Sequence, residues 1–109
     1  MAYDRELAER VRDSLAHLED MTEKKMFGGL AFLVGGSMAV AAANAGQLMV
    51  RLPKDQVPDA LEAEGVTEVV MRGRPMRGWI YVDTSALASE TALDAWIERG
   101  VEAARLAAA

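Results

Sequence analysis

From Asp4 to Asp20, apolar side chains recur at Leu7, Val11, Leu15 and Leu18, with charged residues between them. Spacings of three and four residues draw one stripe along a helix, which predicts a helix over 4–20. Asp4 suits its N-cap and Glu6 its first turn, where backbone N–H groups lack partners. The pattern changes after Lys24 and Lys25. Met26-Phe-Gly-Gly29 leads into Leu30-Ala-Phe-Leu-Val34, Gly35-Gly36 punctuates, and Ser37-Met-Ala-Val-Ala41 resumes. Paired glycines supply the positive φ of a tight hairpin, so this stretch reads as strand, turn, strand. Asn44-Ala-Gly46 marks a second turn before a strand over Gln47–Leu52. Connections this short force antiparallel pairing.

Pro53 ends that strand. Asp55 is expected to cap a short helix over 56–64, with Pro58 in its first turn, Val57, Ala60 and Leu61 on its buried face, and Gly65 as its stop. Val66–Met71 and Trp79–Val82 read as two more strands, joined by the connector Arg72-Gly-Arg-Pro-Met-Arg-Gly78, and Asp83-Thr-Ser85 reads as a turn or cap. The last helix starts near Ser89 or Thr91 and lines up Leu93, Trp96, Ile97, Val101 and Ala104. Gly100 inside it weakens the helix, which suggests a close approach to the sheet, and the Ala107–Ala109 end is expected to fray. The order is helix, three or four strands, helix, two strands, helix: an α+β fold with one antiparallel sheet and its helices gathered on one face.

The first strands are apolar on both sides. Leu30, Phe32 and Val34 share one face and Ala31 and Leu33 the other, while Met38, Val40 and Ala42 alternate with alanines. A sheet with one wet face alternates apolar with polar. The second face is therefore expected to be covered, either by a homodimer formed through the sheet or by the last helix wrapping round.

Composition narrows the function. The chain has 109 residues, the length of one domain. It has no cysteine and one histidine, His17, which removes thiolate chemistry and multi-histidine zinc sites. The net charge of −5 disfavours direct nucleic-acid binding. Charge is blocked along the chain: residues 24–54 carry Lys24, Lys25, Arg51 and Lys54 and no acid, residues 55–70 carry five acids and no base, and residues 71–82 carry Arg72, Arg74 and Arg77 and no acid. The N-terminus lacks the plan of a signal peptide. The longest apolar stretch, near 38–43, is far short of a membrane span. A cytoplasmic protein is expected.

Candidate chemistry is sparse. Met26-Phe-Gly-Gly29 lacks the lysine and hydroxyl of a phosphate loop and reads as a tight corner; Gly28, Gly29, Gly36 and Gly78 are expected to be structural. Lys24, Lys25, Arg51, Arg72, Arg74 and Arg77 are the candidate anion- or partner-binding residues, since guanidinium groups grip carboxylates and phosphates. The alternative for the three later arginines is pairing with Glu62, Glu64 and Glu68. Trp79 and Tyr81 share a strand face, where core packing is favoured over stacking a ligand. His17 lies off the helix stripe, and no serine sits in a nucleophile elbow. No catalytic residue, metal ligand or cofactor is nominated.

Lys25-Met-Phe-Gly-Gly29, Leu30-Ala-Phe-Leu-Val-Gly-Gly36, Met38, Gly46-Gln-Leu-Met-Val-Arg51, Gly73-Arg-Pro-Met-Arg-Gly-Trp79 and the closing Leu93, Trp96-Ile97 and Ala104 helix resemble the N-terminal domain of TfoX/Sxy regulators. The resemblance implies a two-layer α/β sandwich and a regulatory role, promoting competence-gene transcription together with a cyclic-AMP receptor protein. It implies a protein partner and no catalysis. Full-length regulators of that kind carry a second, C-terminal domain, whereas the present chain is expected to hold one. Arg74-Pro-Met-Arg-Gly-Trp79 looks like the segment in stand-alone relatives. The second function considered is a small-anion or metabolite-binding domain using Arg51, Arg72, Arg74 and Arg77.

Overall fold

The computed structural model describes residues 3–26, 28–43 and 46–108. Phe27 of the glycine corner, Asn44 and Ala45 of the second turn, and Ala109 lie outside the described residues.

Helix α1 spans Arg5–Leu15 and begins as expected, the Asp4 carboxylate accepting from the N–H groups of Glu6 at 2.9 Å and Leu7 at 3.2 Å. It buries Leu7, Ala8, Val11 and Leu15. It stops at Leu15 rather than Asp20. Leu18 still packs on the core, but from a turn in which its N–H donates to the Leu15 carbonyl at 3.0 Å. The chain then forms a strand that the apolar pattern did not announce, β1 at Met21–Met26. Thr22-Glu-Lys-Lys25 shows no alternation because β1 is an edge strand, exposed along those four residues.

Strands β2 (Gly29–Val34), β3 (Ser37–Ala42) and β4 (Leu48–Arg51) continue the meander. The predicted helix over 56–64 is instead a 3-10 turn at Lys54–Gln56 followed by a four-residue helix, α2, at Val57–Ala60. Helical backbone starts immediately after Pro53, so Asp55 sits inside the turn and caps nothing. Strand β5 (Val66–Met71) follows, then β6, which runs over Arg74–Val82. The expected connector 72–78 is therefore mostly strand: only Arg72 and Gly73 turn, both at positive φ (54° and 77°). Asp83 caps a 3-10 turn at Thr84–Leu87, and α3 covers Glu90–Ala108, with Ser89 Oγ accepting from the Ala92 N–H at 3.0 Å.

All strands pair antiparallel, in the order β1-β2-β3-β4-β6-β5. The helices converge on one face, where Leu7, Val11, Leu15, Leu93, Ile97 and Ala60 bury Phe32, Val40, Leu48, Val50 and Ile80. Between β2 and β3 the register slips: Phe32 faces Val40 and Leu33 faces Met38, so Ala39 is the extra residue of a bulge. Ala39 turns toward α3 and packs with Ala104 and Val34. Gly100 lies directly against this bulge.

The second face carries its own buried cluster, Ala31, Ala41, Met49, Val69 and Trp79, rimmed by Met26, Leu33, Met38, Met71, Met76 and Tyr81. Helix α3 packs its buried stripe on the first face, and only its end, at Ala103, Leu106 and Ala107, reaches a hollow beside Trp79 at the margin of the second. In a flat sheet the outer strands β1 and β5 would stand about 24 Å apart, at about 4.8 Å per strand. Yet Met26 of β1 and Met71 of β5 line one cavity of about 110 Å³. The sheet curls, and the β5–β6 hairpin folds over the trough. Methionine suits this closure, being unbranched and adaptable enough to fill irregular gaps.

Two predictions follow from this packing. A Cβ on Gly100 would lie 2.6 Å from the Ala39 carbonyl oxygen and 2.7 Å from Val40 Cγ1. Gly→Ala in an open helix gains about 1 kcal/mol; Gly100→Ala is expected to lose about 1–3 kcal/mol instead, by forcing helix and sheet apart, as measured by urea denaturation. The second concerns acid. Arg12 of α1 donates to Glu23 of β1, from Nη2 to Oε1 at 2.9 Å, and holds that carboxyl below its usual range. A depressed carboxyl stabilises the fold above its unfolded value, about pH 4.3, and that contribution disappears as the pH falls through the folded value. The melting temperature of Glu23→Gln should therefore decline less steeply than that of the parent chain between about pH 5 and pH 3.

Candidate functional site: cations around Trp79

Arg51 ends β4 directly opposite Trp79 of β6, so both side chains stand on the second face. Trp79 is 8% exposed. The Arg51 guanidinium carbon lies 5.2 Å from its ring centroid, within range of a cation–π contact. Arg51 Nη1 also donates to the Met38 carbonyl at 3.2 Å. Where β4 ends, the Leu52 N–H donates to the Gly78 carbonyl at 2.8 Å. A Cβ on Gly78, at φ 88°, would crowd the Leu52 carbonyl oxygen at 3.2 Å. This tight crossing presents Arg77 beside Lys54.

The result is an open hollow of about 310 Å³ whose lining includes Arg51, Lys54, Arg77, Trp79 and Leu106 and no carboxylate. Lys54 and Arg77 are exposed, and Leu106 of α3 is 63% exposed on the rim. None of Arg51, Lys54 and Arg77 pairs with an acid among the described residues. The hollow can thus receive an anionic group next to apolar surface.

Of the six candidate cations, the structure joins Arg51 and Arg77. Arg72 and Arg74 stand at the tip of the β5–β6 hairpin, exposed and away from that hollow. Lys24 and Lys25 lie on edge strand β1, opposite Ala31 and Leu30 respectively, and so point to opposite faces. The expected pairing of the later arginines with Glu62, Glu64 and Glu68 does not form among the described residues. Lys54 completes the cluster without having been singled out. Its signal was its place in the acid-free block 24–54, immediately after the proline that ends β4. Among the motif glycines, Gly28, Gly36 and Gly78 have positive φ, and a Cβ on Gly29 would collide with the Ala42 carbonyl oxygen.

His17 lies elsewhere, in a wide open groove of about 530 Å³ between α1 and α3, with Asp94, Glu98, Glu102 and Arg105 along it. His17 and Glu98 are exposed. Ser14 Oγ donates to Asp94 at 2.8 Å rather than to the imidazole. Among the described residues, no group of three or more His, Cys, Asp or Glu side chains could hold a metal ion. No helix among them is long and apolar enough to cross a membrane.

The family model of the TfoX N-terminal domain matches residues 13–104. The chain belongs to the TfoX N-terminal domain family. That match runs from within α1 to within α3 and takes in the whole sheet, so the cations around Trp79 lie inside the TfoX N-terminal domain proper. No curated protein matches the chain.

Arg51 is the half-buried member of the cluster and serves the fold as well. Arg51→Met is expected to lose about 1–2 kcal/mol through the missing cation–π contact and carbonyl hydrogen bond, measured by chemical denaturation.

Proposed function

We propose that this TfoX N-terminal domain is a non-enzymatic regulatory module, a co-regulator of transcription that works by binding another protein through the surface around Trp79. One observation carries the reading: three cations border a hollow free of carboxylates in a chain whose net charge is −5. Elsewhere on the molecule Arg10, Arg12 and Arg105 are matched with Glu90, Glu23 and Asp20. Unmatched cations beside tryptophan and exposed leucine combine the charge and the apolar anchor of interaction hot spots. An acidic, partly apolar segment of a partner complements them. The Ser14–Asp94 bond and the open setting of His17 supply no nucleophile–base pair, which favours binding over catalysis. The overall negative charge favours a protein over DNA as the partner.

The same hollow supports a second reading, a small phosphorylated or carboxylated metabolite held by Arg51, Lys54 and Arg77. Two measurements separate the readings. Lys54→Glu/Arg77→Glu should abolish capture of the protein partner from lysate of the native host while leaving the circular dichroism spectrum unchanged; undiminished capture removes this surface from the proposal. A thermal-shift screen with nucleotides and phosphorylated metabolites should show no stabilisation if the partner is a protein. A ligand present at 100 times its Kd would stabilise by about 2.7 kcal/mol, so a reproducible shift favours the metabolite.

A further inference from the structure

The two edges of the sheet are built differently. Edge strand β1 presents Thr22-Glu-Lys-Lys25, and such charged residues discourage pairing with another strand. Edge strand β5 reads Val-Thr-Glu-Val-Val-Met and carries one charge, Glu68. Its Val70 is 51% exposed, one of two large hydrophobic side chains exposed among the described residues. Its residues alternate regularly: Val69 and Met71 pack on the second face, and Val66 on the first. The irregularity of this hairpin falls on β6, where Ile80 to Pro75 spans the stretch that Glu68 to Val70 covers on β5. Strand β5 therefore keeps a straight row of unpaired backbone groups.

Charge is placed at the two ends of that row. Glu62 and Glu64 stand exposed in the turn before β5, and Arg72 and Arg74 stand exposed at the hairpin tip after it. Within one chain they cannot meet: six residues of strand separate the groups by about 20 Å at 3.3 Å per residue. Neither arginine pairs with any acid among the described residues.

We infer that β5 pairs antiparallel with β5 of a second copy of this chain, joining two sheets edge to edge about a twofold axis. Reversal of the strand brings the basic tip of each copy beside the acidic turn of the other, so one contact forms two charge-matched clusters, as an isologous interface requires. A register centred on Val69 keeps Glu68 from facing itself and sets it against Val70 of the partner subunit. The contact is a short strand pair with exposed charges, which makes it concentration-dependent and salt-sensitive. This inference stands independently of the regulatory reading, because no residue of β5 lines the hollow bordered by Arg51, Lys54 and Arg77.

Sedimentation equilibrium tests it from about 5 to 200 µM, the range suited to a small interface. The parent chain should rise above its 11.8 kDa monomer mass at low salt and fall back at high salt. Arg72→Glu/Arg74→Glu and Glu62→Arg/Glu64→Arg should each weaken association about tenfold or more. Mixing the two variants should restore a heterodimer, visible by native mass spectrometry. Val70→Glu, which sets a second carboxylate against Glu68 of the partner subunit, should weaken association without touching either charge cluster. A parent chain that stays monomeric throughout overturns the inference. So does a mixture of the two folded charge variants that fails to associate, or a Val70→Glu chain that dimerises like the parent.

Discussion

Both faces of this sheet are apolar, and the helices pack their buried stripes on one of them. The other must be kept from water by the sheet itself, and it is, by curling until the first and last strands share a small cavity lined by Met26, Met38, Met49 and Met71. Removing apolar surface from water at about 25 cal/mol per Å² is sufficient reason for the curl. Its devices are visible: a bulge at Ala39, a slipped register in β6, and the overhanging β5–β6 hairpin. On the helical face the same economy of space makes Gly100 necessary, because α3 lies against the bulged backbone with no room for a side chain.

The curl also decides where charge can go. Positions facing the trough must be apolar or must lay their charge over something apolar, as Arg51 does on Trp79. The remaining cations are displaced to rims: Lys54 and Arg77 beside α3, Arg72 and Arg74 at the hairpin tip. Most of the acids sit on helices and turns, Glu23 of β1 and Glu68 of β5 being the exceptions on strands. A molecule of net negative charge thus retains two positive surfaces that pair with no acid among the described residues.

That separation is what the proposed binding role rests on. The groove containing His17 is wide and open, and its serine is engaged by Asp94. Membership of the TfoX N-terminal domain family agrees with an architecture whose distinctive features are rims, an edge and a covered trough.

Local patterning determined a good deal. The Leu7, Val11, Leu15 stripe, the Asp4 cap and the glycine hairpin were legible because each depends on neighbours a few residues away, whereas the close approach at Gly100 was signalled only by a glycine out of place in a helix, its contacts Ala39 and Val40 being distant in sequence. The α+β class followed from that order, and the family resemblance from short motifs. Strand β1 was not legible, since an exposed edge strand has no buried face to impose alternation. Nor was the strand character of Arg74–Gly78, because Pro75 and Gly78 read as turn residues when the partner β5 is out of view. Only the tertiary structure decided how the second apolar face is covered and which cations meet. Both depend on the curvature of the whole sheet, which brings β1 toward β5 and separates Arg77 from Arg72. Curvature sums small twists over six strands, and no single stretch of sequence records that sum.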